Sequence, residues 1–296
     1  MPLPTHGRYD YVPITARKDY SWPEGKRLAV YIGLNLEHFS FGEGLGAELA
    51  PGGPQPDVLN FAWRDYGNRV GAWRMLEVFD ALSLPCSVLV NSLLYDCCPE
   101  LVAAFRRRGD EIVGHGRTNS ERQSTLEEAA ERKLIEATTA AIAKAEGKPP
   151  SGWLGPWIAE SRVTPDLLKE CGYKYVLDWC HDDQPIWMRT RSGPILSVPY
   201  PQEVNDIPAI AVRRMNADAF ADMIVDNFDE MLEQSAAQPL VMGIALHAYI
   251  VGQPYRLRHL RRALQHIITR RNDVWLCHSG DIARHVERLP AGLCSK

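Results

Sequence analysis

Apolar residues along the chain alternate between two spacings, and this alternation predicts the secondary structure. Short, nearly continuous apolar runs predict buried strands at residues 27–36, 86–90, 112–113, 151–157, 173–179, 195–200, 240–246 and 274–277. Between them, apolar residues recur at helical spacing over residues 66–83, 99–108, 125–146, 164–171, 217–234, 254–270 and 281–287. Strands that alternate with helices indicate βαβ units around a parallel sheet.

The number of these units limits the architecture. In a chain of 296 residues, they favour an α/β fold with a distorted (β/α)7–8 barrel. A doubly wound open sheet is the alternative, but it would normally carry a glycine-rich phosphate loop, and the sequence has no GxGxxG or Walker motif. We predict an N-terminal arm at residues 1–20, one barrel domain at 21–290 and a tail at 291–296. Residues 39–64 are rich in Gly and Pro and predict a long functional loop.

Composition and charge narrow the class of protein. Hydrophobic residues make up 45% and charged residues 24%, which is the usual balance for a globular enzyme. The net charge of −4 and the absence of a basic stripe argue against a nucleic-acid partner. No apolar run of about 18 residues predicts a membrane span, and the first residues lack the apolar core of a signal peptide. The seven cysteines include no Cys-x-x-Cys pair, so we expect reduced thiols and a cytoplasmic protein.

The segment at residues 114–120 carries the most distinctive chemistry. It follows a predicted strand and places His115 between two glycines, where the backbone tolerates a sharp turn. The end of a strand in a parallel α/β protein is where reactive groups usually lie. A second histidine four residues later would complete a metal-ligand pair, but Asn119 occupies that position. The choice between metal-dependent and metal-free chemistry depends on this replacement.

Other polar side chains follow the remaining strands, and a barrel would bring them to the same rim. Glu37 and His247 each follow a buried apolar run, and together with His115 they form the predicted catalytic set. A carboxylate beside an imidazole can fix its tautomer and tune its pKa for proton transfer. A structural role is open for each of them, as a turn cap or a hydrogen-bonded core residue. Six other histidines are interpreted as structural: His38, His181, His259, His266, His278 and His285.

A second set of rim residues is predicted to bind substrate, and it comprises Asn35, Arg69, Asn119, Trp157, Asp183 and Asn205. Arg69 would contact the substrate or orient a carboxylate. Structural interpretations are again open, because Trp157 would also suit the core and Asp183 would also suit a turn before Pro185.

Several motifs, taken together, resemble the polysaccharide deacetylase (NodB-like) superfamily, from about residue 20 to residue 288. The residues that carry the resemblance are Asn35-x-Glu37, His115-Gly-x-x-Asn119, Gly152-Trp-Leu-Gly-Pro-Trp157, Val198-Pro-Tyr200 and Leu246-His247. Within the superfamily, the chain is most similar to the branch of metal-independent allantoinases and cyclic imide hydrolases. The resemblance implies a distorted (β/α) barrel and a homo-oligomer, either a dimer or a tetramer.

The resemblance also implies what this chain lacks. Metal-dependent members carry two aspartates after the first strand, at the positions of Asn35 and Glu37, and a histidine pair at the positions of His115 and Asn119. Asn35 cannot act as a carboxylate base, and one carboxylate with one imidazole falls short of a zinc site. We therefore expect no cofactor, and the alternative is Zn²⁺ held by Glu37, His115 and Asn119.

The predicted function is hydrolysis of a carbon–nitrogen bond, other than a peptide bond, in a small cyclic amide, imide or ureide. His115 or Glu37 would activate water, and His247 would protonate the leaving nitrogen. A backbone N–H or Asn119 would bind the oxyanion. Two alternatives stay open: a metal-dependent carbohydrate N-deacetylase, and a catalytically silent carbohydrate-binding barrel. The expected binding partner is a small-molecule substrate.

Overall fold

The computed structural model describes residues 5–294, and a nine-stranded sheet forms the centre of that part of the chain. The strands are β1 (Leu28–Leu36), β2 (Ser87–Val90), β3 (Glu111–Gly114), β4 (Gly152–Trp153), β5 (Tyr175–Val176), β6 (Ile186–Met188), β7 (Ile195–Ser197), β8 (Leu240–His247) and β9 (Trp275–Leu276). Their order is β6-β7-β5-β4-β3-β2-β1-β8, with β9 paired to β1, and only the β6–β7 pair is antiparallel. The sheet curls into a half-barrel, which confirms the predicted α/β fold with a distorted barrel.

Helices pack around this sheet, and most of them lie where apolar spacing predicts them. They are α1 (Val58–Tyr66), α2 (Ala72–Leu82), α3 (Leu94–Cys97), α4 (Pro99–Arg108), α5 (Glu128–Glu146), α6 (Thr164–Glu170), α7 (Ala217–Gln234), α8 (Ala248–Val251), α9 (Pro254–Thr269) and α10 (Ser279–Arg288). The predicted loop at residues 39–64 is wrong at its end, because α1 begins at Val58. The Asp57 side chain caps this helix by accepting a hydrogen bond from the backbone N–H of Asn60. A π-helical turn at residues 67–71 joins α1 to α2.

Strands β1 and β8 form the centre of the sheet. Every residue of both strands is buried, and each large apolar side chain buried in this way contributes roughly 1.5–3 kcal/mol to stability. The two strands pair in parallel from Leu28 with Leu240 to Asn35 with His247. The next strand pairs in the same sense, with Leu36 opposite Val90. This register brings the carboxyl ends of neighbouring strands to one rim, where the predicted functional residues lie.

The N-terminal arm packs against the barrel through two ion pairs. Arg8 contacts Asp166 at 2.7 Å, and Arg17 contacts Asp182 at 2.5 Å. The predicted boundaries of the arm and of the tail stay predictions, and residues 1–4 and 295–296 of these segments lie outside the described residues. Between residues 5 and 294, no helix is both long enough and apolar enough to span a membrane.

Candidate active site

A small cavity opens at the carboxyl ends of the strands, and its volume is about 130 Å³. Seven of the nine sequence-predicted site residues line it: Asn35, Glu37, His115, Asn119, Trp157, Asn205 and His247. They come from different strand ends, and the register of the parallel sheet brings them together. A set of polar groups in an otherwise apolar cavity is the usual form of a small-molecule site.

Glu37 lies at the centre of the site and is 5% exposed. Its Oε1 atom accepts a hydrogen bond from Asn119 Nδ2 at 2.6 Å. The same oxygen lies 3.5 Å from His115 Nε2 and 3.6 Å from His247 Nε2. Burial alone would raise the pKa of Glu37, but the neighbouring imidazoles outweigh burial, so this pKa lies below its ordinary value. Glu37 is therefore a carboxylate anion between two histidines.

His115 presents one ring nitrogen to the cavity. Its Nδ1 atom donates to the carbonyl oxygen of Leu154 at 2.7 Å, so in the neutral ring Nε2 carries the lone pair. This Nε2 atom has no hydrogen-bond partner among residues 5–294. Gly116 turns the backbone directly after the histidine with φ +64°, and a Cβ atom there would lie 2.6 Å from Pro156. The glycine is required by the turn that positions His115.

His247 is held from behind by Asp206. The Asp206 carboxylate accepts one hydrogen bond from His247 Nδ1 at 2.6 Å and another from the His247 backbone N–H at 2.8 Å. Burial lowers the pKa of His247, but the charges of Asp206 and Glu37 raise it by a larger amount. The pKa of His247 therefore lies above its ordinary value. The imidazolium form is thereby favoured, and its Nε2–H faces Glu37. Asp206, His247, Glu37 and His115 form one continuous chain of ionisable groups.

Asn119 does not suit a zinc ion. Its Nδ2 atom donates to Glu37, and its Oδ1 atom accepts from Asn91 Nδ2 at 2.9 Å. The amide oxygen is thus engaged away from Glu37 and His115, which are the other two proposed ligands. Across the described part of the chain, no three His, Cys, Asp or Glu side chains converge as a metal site. The alternative set of Glu37, His115 and Asn119 therefore does not fit Zn²⁺.

Trp157 forms part of the cavity mouth and is 38% exposed. Its backbone lies in the left-handed region at φ +65°, which is costly for a residue with a large side chain. Its indole N–H donates to the Asn119 carbonyl oxygen at 2.8 Å, and the Arg122 guanidinium lies 5.7 Å from its ring. A strained residue held in this way at a cavity supports the prediction of a substrate contact over a place in the core.

Two predicted substrate-binding residues lie away from the cavity. The Arg69 side chain is 75% exposed and pairs with Asp65 one helical turn before it, so it points from the helical segment into solvent. Asp183 precedes β6, and its carbonyl oxygen accepts from the N–H of Val241 at the start of β8. It therefore lies at the opposite rim from His247, which ends that strand. Neither residue lines the cavity.

Four residues without a predicted role also contribute to the site. Asp206 orients His247, and Tyr200 accepts a hydrogen bond from Asn35 Nδ2 at 2.9 Å. Gln202 and Tyr249 line the cavity. Asp206 and Tyr249 lie near predicted site residues in the sequence, and closeness to His247 or Asn205 is the one signal by which they could be found.

Comparison with known proteins agrees with this architecture. The profile of the polysaccharide deacetylase family matches residues 58–176. A Schizosaccharomyces pombe protein assigned to the polysaccharide deacetylases is 28% identical over 294 residues, which covers 89% of this chain and 91% of the relative. Among solved structures, a probable polysaccharide deacetylase from Pseudomonas aeruginosa PAO1 superposes with a TM-score of 0.79 at 28% identity, and the match covers 90% of this chain and 93% of that chain. PuuE allantoinase superposes with a TM-score of 0.78 at 26% identity over 89% and 91% of the two chains.

The fold, the polar rim and these similarities together define a hydrolase that acts on carbon–nitrogen bonds other than peptide bonds. More particularly, residues 58–176 of the chain carry the match to the polysaccharide deacetylase family.

Proposed function

We propose that the protein hydrolyses a carbon–nitrogen bond of a small cyclic amide, imide or ureide without a metal ion. The observation that carries this proposal is the buried chain Asp206–His247–Glu37–His115, whose members contact one another around the cavity. It provides two imidazoles that differ in the group bound to Nδ1. That group is a backbone carbonyl for His115 and a carboxylate for His247. Pairs of titratable groups held in different environments are typical of acid–base catalysis.

His115 is the proposed general base. Because Nδ1 donates to Leu154, the neutral ring offers a lone pair on Nε2 to a water molecule in the cavity. An imidazolium formed there would be stabilised by the Glu37 carboxylate 3.5 Å away. Glu37 itself is the weaker base. Burial raises its pKa, but the two histidines lower it by a larger amount.

His247 is the proposed general acid. Burial lowers its pKa, but the charges of Asp206 and Glu37 outweigh burial, so the raised pKa favours the protonated ring that an acid needs. It would give its proton to the ring nitrogen as the carbon–nitrogen bond breaks, since an amide nitrogen is a poor leaving group until it is protonated. The base and the acid both lie within 3.6 Å of the same carboxylate oxygen, so one small substrate can reach both.

The size of the cavity and the similarity to PuuE allantoinase support a small ring as the substrate. A volume of about 130 Å³ is below the roughly 300–1,000 Å³ of sites that enclose drug-sized ligands. The seven cysteines form no disulfide, which supports the further proposal of a cytoplasmic protein. The homo-oligomeric state, a dimer or a tetramer, stays a prediction.

A substrate panel tests the proposal. The purified protein is assayed with allantoin, hydantoin and succinimide, and in parallel with N-acetylglucosamine oligomers. Glu37→Gln serves as the matched inactive variant, because it keeps the shape of the side chain and removes its charge. We expect ring opening by the wild-type protein and a loss of at least about 10²-fold in the variant. Efficient release of acetate from the sugars, with no ring opened, would replace this function by carbohydrate N-deacetylation.

A further inference from the structure

The proposed hydrolysis needs hydrogen-bond donors for the carbonyl oxygen, and Asn119 already gives one of its two amide hydrogens to Glu37. Its Nδ2 atom donates that hydrogen to Glu37 Oε1 at 2.6 Å, and the prediction that a backbone N–H or Asn119 binds the oxyanion stays a prediction. When water adds to an amide, negative charge develops on the carbonyl oxygen, and preorganised donors stabilise it. A side-chain donor on the cavity wall would add to this stabilisation.

Tyr249 provides a hydroxyl group on that wall. The residue lies in α8, two positions after His247, and is 3% exposed. Its hydroxyl makes no hydrogen bond of normal geometry with any group in residues 5–294, although it interacts with the nearby Glu37 carboxylate, and burial and this interaction together raise its pKa. Leaving such a group buried without a hydrogen bond of normal geometry is unfavourable. In a cavity-lining residue, an unpaired hydroxyl marks a position where a ligand atom would bind.

Packing fixes the direction of this side chain. The ring of Trp63 lies 4.9 Å from the Tyr249 ring, and that of Phe39 lies 6.0 Å away, both edge-on. At Gly67 a Cβ atom would lie 2.7 Å from the Tyr249 backbone nitrogen, so the π-helical turn touches α8 directly. A donor held by packing requires little reorganisation when charge develops on its partner.

The charges around Tyr249 also suit a donor. Burial, together with the charges of Glu37 and Asp206, raises the pKa of Tyr249 well above its ordinary value, so the hydroxyl keeps its proton. The buried guanidinium of Arg64 lies 4.7 Å from the Phe39 ring, and its positive charge opposes this rise. Arg64 therefore favours negative charge in the region that the Tyr249 hydroxyl faces.

We propose that Tyr249 is a catalytic residue whose hydroxyl binds the oxyanion, an inference that rests on the proposed function. His115 takes a proton from water, the water oxygen bonds to the carbonyl carbon, and the electron pair of the carbonyl bond moves onto its oxygen. Tyr249 donates a hydrogen bond to that oxygen and keeps its own proton. The pair then returns, the carbon–nitrogen bond breaks, and the nitrogen takes the proton of His247.

The test is Tyr249→Phe, assayed on whichever ring of the panel the wild-type protein opens. The control is Tyr173→Phe, because Tyr173 is equally buried but its hydroxyl is bonded to Thr139 at 2.8 Å, outside the cavity. We expect kcat to fall about 10²–10³-fold in Tyr249→Phe, with the thermal midpoint and both limbs of the pH profile unchanged. The control should keep its activity and lose some stability, because it alone gives up a hydrogen bond.

Each other outcome overturns the inference in a distinguishable way. A kcat in Tyr249→Phe within about threefold of the wild type would mean that another group binds the oxyanion. Shifted pH limbs would mean that the hydroxyl acts through Glu37 and is a positioning group. A variant that fails to fold would show a structural role. If the wild-type protein opens none of the rings, the proposed function itself fails, and the inference fails with it.

Discussion

Asp206→Asn tests the arrangement that makes His247 an acid. The carboxylate accepts hydrogen bonds from both the ring and the backbone N–H of His247, at 2.6 and 2.8 Å. An asparagine has the same shape but only one oxygen. If that oxygen still accepts from the backbone N–H, the amide nitrogen of the asparagine faces His247 Nδ1. Because this nitrogen can only donate, Nδ1 has to accept, and the proton of the neutral ring moves to Nε2. The imidazolium then loses its buried counter-charge.

The magnitude follows from that lost charge. A carboxylate in contact shifts the pKa of a partner by about 1–3 units, which corresponds to about 1.4–4 kcal/mol of preference for the charged form. The raised pKa of His247 should therefore fall to or below its ordinary value. Loss of the carboxylate that orients a catalytic histidine costs about 10⁴ in turnover in the serine protease triad. We expect kcat/KM at neutral pH to fall about 10²–10⁴-fold.

The assay is the pH profile of kcat/KM for ring opening, which reports the base and the acid of the free enzyme. Wild-type activity should be lost as pH rises through the raised pKa of His247, and Asp206→Asn should move this limb to lower pH by about 1–3 units. Asp229→Asn is the matched control, because Asp229 pairs with His266 at 2.8 Å on the surface. An alkaline limb that stays in place in Asp206→Asn would refute the assignment of His247 as the acid.

Three further variants test other parts of the site and the fold. His115→Ala should lower kcat at least about 10²-fold, while calorimetry records a fall of only about 2–4 °C in Tm for one lost hydrogen bond; a fall in kcat of less than tenfold would remove His115 as the base. Asn119→His should bind Zn²⁺ more tightly than the wild type by titration calorimetry, since it restores the missing imidazole, and equal affinities would contradict the interpretation of the donor set. Gly71→Ala should lose about 1–3 kcal/mol in urea unfolding, because its Cβ would lie 2.1 Å from the Ala248 carbonyl oxygen. Gly53→Ala is the control, because its Cβ would lie 4.0 Å from the nearest atom, the Ala50 carbonyl oxygen; equal stabilities of the two variants would count against the close contact at Gly71.

The three central ionisable residues could be predicted from the sequence alone, for a physical reason. Glu37, His115 and His247 each follow an apolar run, and parallel strands in register bring the residues at their carboxyl ends to one rim. The same rule was wrong for Asp183, because a short antiparallel strand comes after it and places it at the opposite rim. Arg69 lies outside the cavity because it belongs to the π-helical turn, which sets the direction of its side chain. Local spacing in the sequence does not indicate such a turn.

The remaining parts of the site depend on contacts that local patterns do not encode. Asp206 meets His247 from a position 41 residues away. Tyr249 belongs to an apolar run and looks like a core residue, and only the cavity distinguishes its hydroxyl from a structural one. Only part of the role of Asn119 could be predicted from the sequence. Its substitution for histidine was evident, but the direction of its amide, set by Glu37 and Asn91, required the structure.

The dependence of ring opening on metal tests the proposed metal-free hydrolysis most directly. The wild-type protein is stripped with a chelator, its metal content is measured by elemental analysis, and kcat/KM is followed as Zn²⁺ is added back. We predict full activity at less than about 0.1 metal ion per chain and no gain on addition, because Asn119 directs its amide nitrogen at Glu37 and does not supply the third ligand of the alternative zinc set. Activity that disappears with the metal and returns in proportion to one bound Zn²⁺ per chain would contradict this mechanism.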